Sequence, residues 1–190
     1  MKFILASASP RRRELLTMLG LRPLEIRPAK GEEKAHPELG PAELVMELSA
    51  AKAGEIAAAA GAEDVIIAAD TLVALDGRVL GKPRDAADAA RMLRALSGRE
   101  HSVYTGVTLR RGETELRRAE HSLVRFRPLE DAEIARYIAI GEPLDKAGAY
   151  GAQGRGSLFV ERIEGDFFNV MGLPLCLLGK MMKEFGIDLI

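Results

Sequence analysis

Five consecutive apolar residues, Val65-Ile66-Ile67-Ala68-Ala69, run straight into an aspartate at position 70. The run is too short for a buried helix and does not alternate, so it reads as a central strand of a sheet. Around it the pattern keeps changing type. Phe3 to Ala6 is a second apolar run. A helix is expected from Pro10 to Leu19, with Leu15, Leu16 and Leu19 on one face and Gly20 as its stop. Leu24 to Ile26 reads as a short strand. Pro41 opens a long helix in which Leu44, Val45, Leu48 and Ile56 recur at helical spacing, with the Ala57 to Ala60 tract continuing it.

After Asp70 a separate strand is expected up to Leu75, then a tight turn at Asp76-Gly77. Asp85 caps a helix carrying Ala89, Met92, Leu93 and Leu96, ended at Gly98. Val103 to Leu109 alternates as a half-exposed strand, and another strand is expected over His121 to Phe126. A helix from Glu130 to Ile140 precedes a glycine-rich loop up to Gly156. Ser157 to Ile163 is strand-like, and Pro174 starts a last helix through Phe185. Such alternation predicts a mixed α/β fold, and 190 residues without an internal repeat fit a single domain over 1–190, or two small lobes sharing a core.

Charge and cysteine content exclude several classes. Lys and Arg number 27 against 28 Asp and Glu, so no global basic field recruits nucleic acid or an anionic membrane. One cysteine excludes an internal disulfide and, with three scattered histidines, argues against structural zinc. No run reaches 18 apolar residues, and the opening segment is too short for a signal peptide, which predicts a cytoplasmic protein.

Four places could carry chemistry. In Leu5 to Leu16, a strand ends, Ser7 and Ser9 supply hydroxyls, and Arg11, Arg12 and Arg13 crowd the first helical turn. Cations oppose the helix dipole there, so free amides, hydroxyls and guanidinium groups together read as a phosphate site. Lys52 falls in the apolar stripe of its helix, either snorkelling at the edge or directed at an anion. Asp70 ends its strand where α/β sheets present ligands. It can hold Mg²⁺, accept a proton from an attacking water, or bond the backbone of a turn. The segment Gly77 to Pro83, with Lys82, is too short for a P-loop and has Pro83 at the required Ser/Thr position. Glu142 to Gly154 spaces Gly148, Gly151 and Gly154 three apart and offers Gln153 as an amide suited to a base edge. Gly165 to Leu175, with its aromatic pair, reads as structural.

Taken together, SASPRRRELL, Lys52-Ala53, AADTLV around Asp70, GKP at Lys82, HSVYTGV, EPLDKAGAYGAQG and GDFFNVMGLPL resemble the Maf family in order and across nearly the whole chain. That resemblance implies a nucleotide pyrophosphatase associated with septum formation, commonly dimeric. The implied fold is a central mixed β-sheet flanked by helices, with a cleft between two lobes, similar to inosine triphosphate pyrophosphatases. It implies Asp70 as proton acceptor, and Ser7, Ser9, Arg12 and Arg13 as phosphate ligands with Lys52 and Lys82. Glu33 joins them as a further polar residue, and Glu33 and Asp70 are the implied ligands of Mg²⁺ or Mn²⁺. Gly31 stands before the Glu32-Glu33 pair where the family usually has an aspartate, so either glutamate fits that place. The DKAGAYGAQG form resembles the branch acting on dTTP and UTP, with Arg12, Thr71 and Gln153 linked to specificity. The competing expectations are a pyrophosphatase for modified or purine nucleotides and a nucleotide-sensing regulator without turnover.

Overall fold

The computed structural model describes residues 1–31 and 38–190. In chain order the elements are β1 (Phe3–Leu5), α1 (Pro10–Met18), β2 (Leu24–Ile26), α2 (Pro41–Ala57), β3 (Val65–Leu75), β4 (Arg78–Leu80) and α3 (Ala86–Leu96). They continue with β5 (Glu100–Arg111), β6 (Thr114–Phe126), α4 (Asp131–Ala139), three short 3-10 turns between Glu142 and Phe159, β7 (Val160–Glu164), α5 (Phe167–Met171) and α6 (Leu175–Glu184). Among the described residues the strands form one seven-stranded mixed sheet in the order β2-β1-β3-β5-β6-β7, with β4 paired to β3. β1 runs parallel to β2 and β3, whereas β3–β4 and β6–β7 are antiparallel. The expected α/β class with a mixed sheet and flanking helices is the fold observed.

Several boundaries differ from the sequence reading. The two strands expected on either side of Asp70 are one eleven-residue strand, because Asp70 is buried and paired rather than exposed at a turn. β6 begins at Thr114, seven residues before the expected start at His121. Its polar first half holds its place through ladder hydrogen bonds, which are indifferent to side-chain polarity. α2 ends at Ala57, and the strand expected from Ser157 starts at Val160 after a 3-10 turn over Arg155–Phe159.

The chain forms two compact units. The first comprises Met1–Asp70, Thr105–Glu120 and Gly172–Ile190; the second comprises Thr71–Tyr104 and His121–Met171. In the first unit, Ala53 and Ile56 of α2 pack on Ile4 of β1, on Ala6 just after it, and on Ile66 and Ala68 of β3. α2 lies unusually close to β5. A Cβ added to Gly106 would stand 2.6 Å from Met46 N and closer still to the Val45 carbonyl, so only glycine fits there. The buried hydroxyls of Ser49 and Thr108 add a 2.8 Å hydrogen bond across the same contact. In the second unit, Phe126, Tyr150, Phe159 and Tyr137 form an edge-to-face aromatic chain within a core shared with Leu93, Leu96 and Val103. No helix among the described residues is long and apolar enough to cross a membrane.

Candidate functional site

The first unit gathers six of the residues named from sequence. The amide of Ala6 donates to the Ile67 carbonyl at 2.9 Å, so the chain leaves β1 three residues before Asp70 on the adjacent parallel strand. That is about 10 Å of strand. Ser9 caps α1, its Oγ accepting from Arg12 N at 3.5 Å, and Pro10 takes the first helical position. Arg12 is anchored despite the unfavourable helix dipole. Its Nε donates to the Gly172 carbonyl at 2.8 Å and its Nη1 to Ser7 Oγ at 3.1 Å. Ser7 Oγ also accepts from Ser9 N at 3.2 Å. A hydroxyl accepting two bonds keeps its own proton to donate, so buried Ser7 can offer a donor to an anion.

Lys52 and Asp70 meet in an ion pair, with side chains 22% and 13% exposed. Lys52 follows Ser49 by three residues, which puts the ammonium on the side of α2 that the sheet contact orients. Charged groups this far from water need partners, and here each supplies one to the other. Arg13 is exposed and lines a 590 Å³ surface cavity with Thr17, Leu21, Arg22, Pro23, Leu24 and Ile26.

The second unit holds Thr71, Lys82 and Gln153. Lys82 and Gln153 are exposed, and Thr71 is half-buried. The Gly148 amide donates to the Gly81 carbonyl at 3.1 Å, which ties the loop of Lys82 to the glycine-rich loop. Gly148 has φ +68° and lies where an added Cβ would press on Val73 at 3.0 Å, so the tie requires glycine. Below the loop, buried His101 bonds Tyr150 Oη through Nε2 at 2.8 Å, and its Nδ1 has no hydrogen-bond partner among the described residues. Burial holds the His101 imidazole down at about 4 and pushes the Tyr150 phenol up.

Glu33 lies outside the described residues. Those described contain no group of three or more His, Cys, Asp and Glu able to cage a metal. Asp70 alone is still a hard oxygen donor of the kind Mg²⁺ takes, since that ion combines one or two carboxylates with water and phosphate oxygens.

Two contributors escaped the sequence reading. The Gly172 carbonyl orients Arg12 from within a segment read as structural, and a main-chain oxygen leaves no side-chain signature. Glu142 stands in the quoted EPLDKAG stretch without a role, yet its carboxylate organises the loop above it.

A dTTP/UTP pyrophosphatase from Moorella thermoacetica is 52% identical over 98% of this chain and 96% of its own. One from Carboxydothermus hydrogenoformans is 53% identical over 98% of this chain and 100% of its own. A solved nucleoside-triphosphatase / dITP/XTP pyrophosphatase from Mycobacterium abscessus aligns over 97% of each chain at 14% identity, with a TM-score of 0.46. The family model described as Maf-like protein matches residues 2–185. A family match over almost every residue, together with relatives at half identity end to end, establishes that this chain belongs to the Maf family.

Proposed function

We propose that this protein hydrolyses dTTP and UTP to the nucleoside monophosphate and pyrophosphate. The observation that carries the reading is the pair between Lys52 of α2 and Asp70 of β3, the strand beside β1 and the Ser7–Arg12 contact that follows it. Half identity to two dTTP/UTP pyrophosphatases supports the substrate.

In this reading the triphosphate draws the Lys52 ammonium toward its oxygens and frees the Asp70 carboxylate to take a proton from water. The water oxygen bonds to the α-phosphorus, the bond to the α–β bridging oxygen breaks, and pyrophosphate leaves. Arg12, Lys52 and Ser7 offset charge on the phosphates, with Ser9, Arg13 and Lys82 as further ligands. Arg12, Thr71 and Gln153 set specificity; for Arg13, Lys82, Thr71 and Gln153 the support is the sequence resemblance. Asp70, with Glu33 as the second carboxylate that the resemblance implies, would hold Mg²⁺ or Mn²⁺, which would supply further charge neutralisation. A cytoplasmic homodimer that binds neither nucleic acid nor membrane completes the proposal; the single cysteine and the near-neutral charge support the compartment and the missing polyanion partners, and the family resemblance alone supports the dimer.

The test is a panel of nucleoside triphosphates with Mg²⁺, assayed separately for pyrophosphate and orthophosphate. Pyrophosphate from dTTP and UTP in excess of the others is the expected result. Orthophosphate release, faster turnover of purine or modified nucleotides, or binding without turnover overturns it.

A further inference from the structure

We infer that Glu142 is a positioning residue for base selectivity, holding in place the loop that carries Gln153. The inference rests on the reading of Gln153 as the residue that meets the base.

Glu142 is half-buried at the start of the loop, and its carboxylate accepts from two peptide N–H groups beyond it and from one phenol before it. One carboxylate oxygen, Oε1, accepts from Tyr137 Oη at 3.0 Å and from Gly156 N at 3.1 Å. The other, Oε2, accepts from Arg155 N at 3.1 Å. Tyr137 passes the restraint on, since its Oη accepts from Gly151 N at 3.2 Å. Burial pushes the Tyr137 phenol above its ordinary range, so it stays protonated as the donor to Glu142. The Glu142 carbonyl accepts from Lys146 Nζ at 2.6 Å. Amides before and after Gln153, those of Gly151, Arg155 and Gly156, are therefore fixed to one side chain or to its phenol partner.

The residue next to Gln153 closes the argument. Gly154 has φ +102°, and a Cβ there would stand 2.9 Å from Glu142 Oε1. The backbone at Gly154 is thus folded directly onto the carboxylate, one peptide away from Gln153. A glutamine can turn its amide over and serve cytosine as well as uracil, because the donor and acceptor simply exchange. Selectivity then requires neighbours that favour one amide orientation, and the peptide groups of this loop can do so only where they keep fixed positions. A carboxylate receiving three bonds, two from peptide N–H groups, is a strong restraint for an otherwise glycine-rich loop.

The test compares kcat, KM and thermal midpoint for UTP, dTTP and CTP in wild type, Glu142→Ala, Glu142→Gln and Gln153→Ala. Glutamine keeps one acceptor oxygen for Tyr137 and Gly156 but turns its NH₂ toward Arg155 N. The UTP-to-CTP ratio of kcat/KM should fall roughly tenfold in Glu142→Ala and by a smaller factor in Glu142→Gln, mainly through a higher KM for UTP. If Glu142→Ala does not fold, the Glu142→Gln ratio decides. A ratio that stays at the wild-type value in Glu142→Gln and in any folded Glu142→Ala, whatever the midpoint does, overturns the inference. If Gln153→Ala narrows the ratio in that case, only the role of Glu142 falls; if it does not, the base-reading role of Gln153 falls and the inference with it.

Discussion

Gly106 in β5 carries the backbone of α2 against its Cα, and Val45 is the residue it meets. The contact leaves no room for a methyl group. It sets how far α2 stands from the sheet, and with it the reach of Lys52, seven residues and about two turns after Val45, toward Asp70.

Gly106→Ala should lower stability by about 1–3 kcal/mol, the usual cost of forcing a methyl into a filled space. It should also lower kcat/KM in the fraction that folds, because Lys52 moves with the helix. Gly54 on the same helix has nothing within 4 Å of an added Cβ. Gly54→Ala should therefore raise stability by roughly 0.5–1 kcal/mol through helix propensity alone. Urea unfolding of the pair, read beside pyrophosphate release, checks both; equal effects from the two substitutions would remove the close contact as the cause.

Asp70→Asn keeps the shape of the side chain and loses its ability to accept a proton. Turnover should drop by about 10²–10⁴-fold while nucleotide binding persists. Calorimetric titration with UTP, paired with single-turnover kinetics, separates the two. Substantial residual turnover would falsify the general-base role.

Arg12→Lys retains a positive charge but cannot reproduce a planar group bonded at once to the Gly172 carbonyl and Ser7 Oγ. Both Arg12→Lys and Arg12→Ala should lose on the order of 10–100-fold in kcat/KM, with little change in thermal midpoint. Wild-type kinetics in Arg12→Lys would mean that charge alone matters and the orientation does not.

Acid should weaken the fold through His101. In the unfolded chain the imidazole titrates near 6.5, and in the fold burial brings it down to about 4. Between those values the unfolded chain carries the extra proton, so stability falls as pH drops from about 6.5 to 4 and levels off below. The full loss is roughly 3 kcal/mol. Glu133, drawn down to about 2 mainly by Arg127, acts in a lower window, below about 4.5. His101→Gln should flatten the 6.5 to 4.5 limb in denaturant titrations taken at several pH values. A limb of unchanged slope would assign the acid sensitivity elsewhere.

How much of this could be read from the chain depends on what each contact is made of. Val65 to Ala69 declared β3, and Lys52 declared itself by interrupting an apolar stripe. Asp70 misled about the strand's length, because a carboxylate at the end of an apolar run looks like a turn until its ammonium partner is known. The polar stretch from Thr114 to Glu120 offered no apolar periodicity, and its strand character comes from the ladder. Gly172 and Glu142 were illegible for a related reason: the work at both passes through peptide groups, which every residue possesses. Glu33 lies outside the described residues.

The interleaving of the two units has a consequence for inheritance. The path passes between them four times, three of these inside β3, β5 and β6. No continuous stretch of coding sequence specifies either unit, so a single recombination event cannot exchange one intact for that of a relative. Any single segment exchanged with a relative therefore carries either part of one unit or pieces of both.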